Sequence, residues 1–173
     1  MTDIETNNLI VRPFIMSDLT KVFQLSQELS LAKWMPDQVY KDEEETAGVL
    51  DFLITQYQGS LKPDEKPLVL AIVLKNTNEL IGHVGLSPYK NNIEVGYAIS
   101  DEYCGKGYAT EAVTSLVNWA LSNLETHKIL GVVASENIGS RRVLEKSGFL
   151  FNNESKQIYH GQMRLCRKYS LSK

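Results

Sequence analysis

The stretch Cys104-Gly105-Lys106-Gly107-Tyr108-Ala109-Thr110 sets two glycines and a lysine directly before a strongly helical pattern. A loop that leaves a strand and enters a helix exposes backbone N–H groups. Together with the positive end of the helix dipole, these attract an anion, above all a phosphate. Glycines at 105 and 107 let the main chain approach such a ligand without side-chain obstruction. The segment therefore suits a diphosphate, while glycines in this spacing also serve in plain turns. Of two other phosphate-binding patterns, the P-loop fails and the dinucleotide fingerprint of a nicotinamide-dependent reductase fits poorly. A P-loop would place glycine at 100 and Ser or Thr at 107, where the chain has Ser100 and Gly107. A dinucleotide fingerprint would place a third glycine where the chain has Thr110, and needs more parallel strand–helix repeats than the remaining residues supply.

Other reactive side chains are scattered. Cys104 and Cys166 are too few and too far apart for a metal cluster or a disulfide framework. His83, His127 and His160 make no His-Glu-x-x-His pattern, so no metal is expected. For His83, in a strand, a hydrogen-bonded structural role outranks catalysis. Glu94 lies inside a strand-like run, as a solvated glutamate or as a base. Glu136 stands just before Asn137, where its charge suits a helix start.

These groups need elements to hold them. In "NIEVGYAIS", Ile93, Val95, Tyr97 and Ile99 share one strand face, and Glu94, Gly96 and Ala98 share the other. Gly96 within that strand marks either a bulge or a place where something approaches the backbone closely. After the glycine pair, Ala109, Ala112, Val113, Leu116, Val117, Ala120 and Leu124 form one apolar helical stripe. "KILGVVAS" is the next strand, and Asn137 caps a shorter helix that runs to Ser147 and closes at Gly148. Two strands surround "YHGQM" near the end. In the first half, "LIVR" before Pro13 reads as a strand, and Ser17 or Asp18 caps a helix carried by Leu19, Val22, Phe23, Ser26 and Leu29. "LAKWMPDQVY" then connects to a second amphipathic helix in "EEETAGVLDFLITQY". "LVLAIVL" and "LIGHVGLSP" pair as a hairpin.

At 173 residues, 43% hydrophobic and 23% charged, the chain can bury a sizeable core, so disorder is not expected. It reads as one α/β (α+β) domain over residues 1–173, hairpin-rich first and with a βαβ unit later. A formal charge of -3 argues against a nucleic acid or an anionic membrane as partner. "MTDIETNNLIVRPF" lacks the basic start and apolar run of a signal peptide, and no later stretch could span a bilayer. A cytoplasmic location is expected.

The loop at 104–109 resembles the acetyl-CoA loop of the GNAT N-acetyltransferase superfamily, whose pattern runs Gln/Arg-x-x-Gly-x-Gly/Ala; Cys104 departs at the first position. "LIVRPF", "LIGHVGL", "EVGYAIS", "TEA" and "ENIGSRRVLEKSGF" are similar to the Rim-type branch of that superfamily, the ribosomal-protein N-terminal acetyltransferases. The blocks stand in family order across nearly the whole chain. The resemblance implies a GNAT fold, a mixed central sheet of about seven strands with about four helices, splayed at its central strands. It implies acetyl-CoA as cosubstrate. The pantetheine arm would lie along Tyr97, Ala98 and Ile99. The diphosphate would rest on the N–H groups of Gly105, Lys106, Gly107, Tyr108, Ala109 and Thr110. Lys106, Arg141 or Arg142 would neutralise further phosphate charge, and Asn137 would hold the arm or act only as a cap.

Acetyl transfer to nitrogen needs a neutral amine and a proton for the departing thiolate. The resemblance makes Glu94 the first candidate base, acting through water. It makes Ser140, in the family's Asn-x-x-Ser, the candidate for handling the thiolate's proton. The family's usual acidic tyrosine falls at Leu144, which leaves Tyr108 and Tyr97 as substitutes. Trp34, Met35 and Tyr40 occupy the region that shapes the acceptor pocket. The implied reaction is direct attack in a ternary complex by a primary amine, first of all a protein N-terminal amine. Polyamines and aminoglycosides are alternative acceptors, a non-catalytic acyl-CoA sensor is an alternative function, and a homodimer is left open.

Overall fold

The structure, a computed structural model, describes residues 3–173. Eight strands form one sheet in the order β1-β2-β3-β4-β5-β6-β8-β7 among the described residues. They are β1 (Ile4–Glu5), β2 (Leu9–Arg12), β3 (Leu68–Leu74), β4 (Leu80–Tyr89), β5 (Asn92–Ile99), β6 (Lys128–Ala134), β7 (Leu150–Tyr159) and β8 (Gln162–Ser172). Five α-helices accompany them: α1 (Leu19–Ser26), α2 (Leu29–Trp34), α3 (Glu43–Gln56), α4 (Tyr108–Asn123) and α5 (Ile138–Lys146). No helix among the described residues is long and apolar enough to cross a membrane.

β3 reads as an unbroken apolar run because both its faces are covered. Leu68, Leu70 and Ile72 join the core beneath α4, while Ala71 and Val73 pack with Phe14, Leu50 and Leu80 on the side of α1 and α3. The apolar stripe of α4 does what its spacing demands: Ala112, Val113, Leu116, Val117 and Ala120 are wholly buried. Each of the larger side chains contributes roughly 1.5–3 kcal/mol by leaving water. That packing fixes the start of α4 relative to the sheet, which matters for the site.

The central strands separate. β5 pairs antiparallel with β4 along its whole length, from Asn92 opposite Tyr89 to Ile99 opposite Gly82. Its parallel pairing with β6 covers only Ile93 with Ile129 and Glu94 with Leu130. Beyond Glu94 that edge of β5 has no strand beside it. The expected splay is present, and so is the βαβ unit, β5-α4-β6.

The first half differs from the sequence reading in three ways. The helix expected to run through Leu29 ends at Ser26, whose hydroxyl donates back to the Phe23 carbonyl at 2.7 Å. The chain restarts at Leu29 as α2, which runs into the stretch read as a connection, so five α-helices among the described residues stand where about four were expected. Asp18 does not cap α1. The Arg12 guanidinium takes both of its carboxylate oxygens at 2.8 Å, and the Ile15 N–H donates to one of them at 3.0 Å, so a short 3-10 turn (Met16–Asp18) leads into the helix instead. The eighth strand is the two-residue β1, too short to leave a pattern, held by pairing Ile4 with Val11.

Candidate active site

The glycine loop takes a conformation that few other residues adopt. Gly105 has φ +77° and Gly107 φ +90°, and Gly107 is the N-cap of α4. It has no side chain to cap with, so the first N–H groups of α4 face outward without a side-chain acceptor from the cap. A Cβ added at either glycine would meet nothing within 4 Å. The loop is braced from behind. Glu28 accepts from the Ser100 hydroxyl and the Asp101 N–H, both at 2.7 Å. Glu79 accepts from the Tyr103 hydroxyl at 2.6 Å and pairs with Lys21 at 2.8 Å. These two partners hold the Glu79 carboxyl below its usual range, and the Tyr103 phenol is pushed up to about 12 by its bond to that carboxylate.

A cleft of about 790 Å³ runs from this loop through the gap between β5 and β6 to α2 and α3. Its walls bring together Glu94, Tyr97, Ala98, Ile99, Gly105, Gly107, Tyr108, Ala109, Thr110, Asn137, Ser140 and Arg142. Lys106 is the exception. Its ammonium stands over the Tyr103 ring, 4.7 Å from the centroid, rather than in the cleft wall. Arg141 also turns away and donates to the Ser135 carbonyl at 3.1 Å. Arg142 is exposed at the cleft mouth.

Asn137 caps α5, its Oδ1 accepting from the Ser140 N–H at 3.1 Å. Its NH2 group is not part of that bond. The Tyr97 hydroxyl donates to the Ser140 carbonyl at 2.8 Å, which ties β5 to α5 across the splay. Burial raises the Tyr97 phenol well above the ordinary tyrosine value, so it stays protonated. Leu144, where the resemblance would put a tyrosine, is wholly buried in the core.

Glu94 sits at the last paired position before the strands part. Burial pushes its carboxyl up to about 8, opposed by the charge of Lys168 and by a hydrogen bond from the Val132 backbone N–H. On the same strand face, Gly96 lies directly opposite Gly85 of β4, flanked by the pairs Ala98 with His83 and Glu94 with Ser87. All six residues line the cleft. The register of β4 with β5 is continuous, so Gly96 marks no bulge; its bare backbone faces the open cleft. A Cβ there would meet nothing within 4 Å. Gly96→Val is therefore expected to leave the thermal midpoint within a few degrees while cutting turnover at least about tenfold, because the side chain projects into the reaction space. Parallel melting curves and steady-state rates test this.

His83 is held neutral. Burial lowers its pKa to about 4. The unfolded state binds a proton that the folded state refuses, so stability present above about 6.5 is lost as pH falls toward 4. His83→Gln should lose less stability than wild type across that interval, as read by urea melts at stepped pH.

Trp34, Met35 and Tyr40 line the far end of the cleft. Several lining residues carried no sequence signal for this role: Val49, Phe52 and Leu53 of α3, and Tyr159 and His160 at the β7–β8 turn. That turn is tight, with φ +46° at His160 and +75° at Gly161. It reaches over the cleft rim, where His160 Nδ1 lies 2.6 Å from Asp37 and Arg164 donates to the Lys33 carbonyl at 2.9 Å. The turn was legible in "YHGQM"; its docking on the α2–α3 connection was not.

A sheet splayed between two parallel strands, with a glycine loop and helix start aimed at the gap, is the arrangement of an acyltransferase of the GNAT kind. The fold matches the crystal structure of a GNAT-family acetyltransferase from Bacillus anthracis with a TM-score of 0.84 at 23% identity, covering 99% of this chain and 98% of that one. It matches RimL, the ribosomal L7/L12 alpha-N-protein acetyltransferase in complex with coenzyme A, with a TM-score of 0.84 at 17% identity over 99% and 98% of the two chains. In sequence, the chain is 26% identical over 147 residues to the uncharacterized N-acetyltransferase YnaD of Bacillus subtilis, spanning 84% of this chain and 81% of that protein. The acetyltransferase (GNAT) domain family matches residues 8–150, and the chain belongs to that family.

It is thus an acetyl-CoA-dependent acetyltransferase. The residues present fit that cosubstrate. Outward main-chain donors at the start of α4 suit a diphosphate. The strandless edge of β5 beyond Glu94 suits an amide-bearing arm that pairs as an added strand.

Proposed function

We propose that this acetyltransferase acetylates the α-amino group of a protein or peptide N-terminus by direct attack in a ternary complex. One observation carries the reading: Glu94, the carboxylate lining the cleft, stands at the last paired position before β5 and β6 part, where burial pushes it up to about 8. An α-ammonium group loses its proton at about 7.7–8.0, whereas a lysine side chain holds its own to about 10.4. Proton transfer between groups of matched pKa is efficient near neutral pH, and Glu94 matches the first and not the second.

Acetyl-CoA supplies the activated acyl group. The chain's own residues do the rest. The donors opening α4 hold the diphosphate, the β5 edge orients the arm, Glu94 accepts the amine's proton through water, and the Ser140 hydroxyl at the cleft wall supplies a proton toward the sulfur side. The likeness of the fold to RimL, which acts on a ribosomal protein's α-amino group, supports this acceptor class.

Mass spectrometry of peptides and small amines incubated with enzyme and acetyl-CoA tests the reading. The expected product carries one acetyl group, mapped to the peptide's first residue and absent from internal lysines. Acetylation confined to lysine side chains would overturn it.

A further inference from the structure

The acceptor half of the cleft has a chemistry of its own, and we infer that it selects an amine bonded next to a bulky apolar or aromatic group, excluding polycationic amines. Taken with the N-terminal reading, on which this rests, the preferred acceptor is a peptide whose first side chain is large and apolar.

Beyond Glu94, the apolar part of the wall is built from Trp34, Met35, Val49, Phe52, Leu53 and Val69, with the uncharged Ser30, Gln38 and Tyr40 among them. Two features of α3 point to an apolar occupant. Val49, Phe52 and Leu53 follow one another at helical spacing and line the cleft, beside the stripe through Leu50 and Tyr57 that the core uses. Phe52 is 50% exposed there, so about half of its surface faces the open cleft. Leaving that half wet forgoes a matching share of the stabilisation its full burial would give. An apolar group entering the cleft restores it.

The polar groups present argue in the same direction. Among the described residues lining the cleft, Glu94 is the single carboxylate. It stands beside Ser87 and the paired glycines 85 and 96, where one amine nitrogen is accommodated above bare backbone. A polyamine or aminoglycoside brings several ammonium groups, each needing a carboxylate or water. A further acid, Asp37, is held against the lining residue His160 at 2.6 Å and is not itself part of the wall. His83, held neutral at the floor, adds a hydrogen-bonding group without charge. The chamber thus offers one place for an amine and a broad apolar surface beside it.

The test compares kcat/KM for peptides of one sequence that begin with Phe, Leu, Ser or Asp, together with phenethylamine and spermidine, for wild type and Phe52→Ser. The expected result is a kcat/KM for Phe- and Leu-initiated peptides at least about tenfold above the Ser- and Asp-initiated ones, with spermidine inert. Phe52→Ser should narrow that ratio severalfold through KM, with the KM for acetyl-CoA unchanged. Equal or better turnover of Ser- or Asp-initiated peptides or of spermidine, or no reaction with any amine of the panel, overturns the inference. Phenethylamine turned over while every peptide is refused would leave the apolar preference standing and remove the N-terminal acceptor instead.

Discussion

Gly107→Glu is expected to weaken acetyl-CoA binding at least about 100-fold, a loss of about 2.7 kcal/mol, while the protein stays folded. The reasoning has two parts of different size. At φ +90° any side chain strains the backbone by about 1–2 kcal/mol, and open space around the added Cβ means no clash increases this. A stability of about 5–15 kcal/mol absorbs that strain. At the ligand, the new carboxylate projects beside the donors that open α4 and competes with the diphosphate for them. Hydrogen bonds to a charged group contribute about 1.5–3 kcal/mol each, so losing even one or two reaches the stated effect. Titration calorimetry with coenzyme A measures the affinity, and the thermal shift on adding coenzyme A should vanish in the variant. Gly107→Ala carries the strain without the charge and should lose much less. An unchanged affinity in Gly107→Glu would place the diphosphate elsewhere on the protein.

The glycine loop was legible in sequence because its requirement is local: a strand end, two residues able to take positive φ, and a helix start. The same holds for Asn137, whose capping bond spans three residues, and for the face alternation of β5, where Glu94, Gly96 and Ala98 do share the cleft wall. Features that depend on which of several neighbouring partners claims a polar group were not legible. Asp18 had the form of a helix cap, and Arg12 claims both its oxygens. Lys106 sits between the two loop glycines, yet its ammonium rests on the Tyr103 ring. The break at Ser26 arises from a hydroxyl bonding back to its own helix, a competition that Ser carries wherever it sits in a helix and that spacing alone does not resolve. The acceptor chamber was the least visible part. Trp34 and Tyr40 were placed near it by resemblance, while α3 presents apolar side chains both to the core and to the cleft, so its pattern reads as an ordinary amphipathic helix.

Glu94→Gln is expected to lower kcat by about 10²–10⁴, the usual worth of a positioned general base, without harming the fold. Glutamine keeps the volume, and its amide oxygen can still accept the Val132 N–H that now reaches the carboxylate. The pH dependence separates a base from a merely structural residue. With the carboxyl titrating at about 8, the wild-type kcat at saturating acceptor should rise as pH passes through that value and level off above it. The variant should be low and flat over the same range. Stability should move the opposite way. A carboxyl raised in the folded state from its ordinary 4.5 to about 8 leaves the protein most stable below about 4.5 and costs stability as pH climbs through 8, because the unfolded chain ionises freely. Glutamine removes that cost, so the inactive variant should be the more stable protein at pH 9, by up to a few kcal/mol. Urea melts and rate profiles on the same two proteins read both effects. A variant that keeps wild-type turnover and its pH profile would show that water or the amine itself releases the proton unaided.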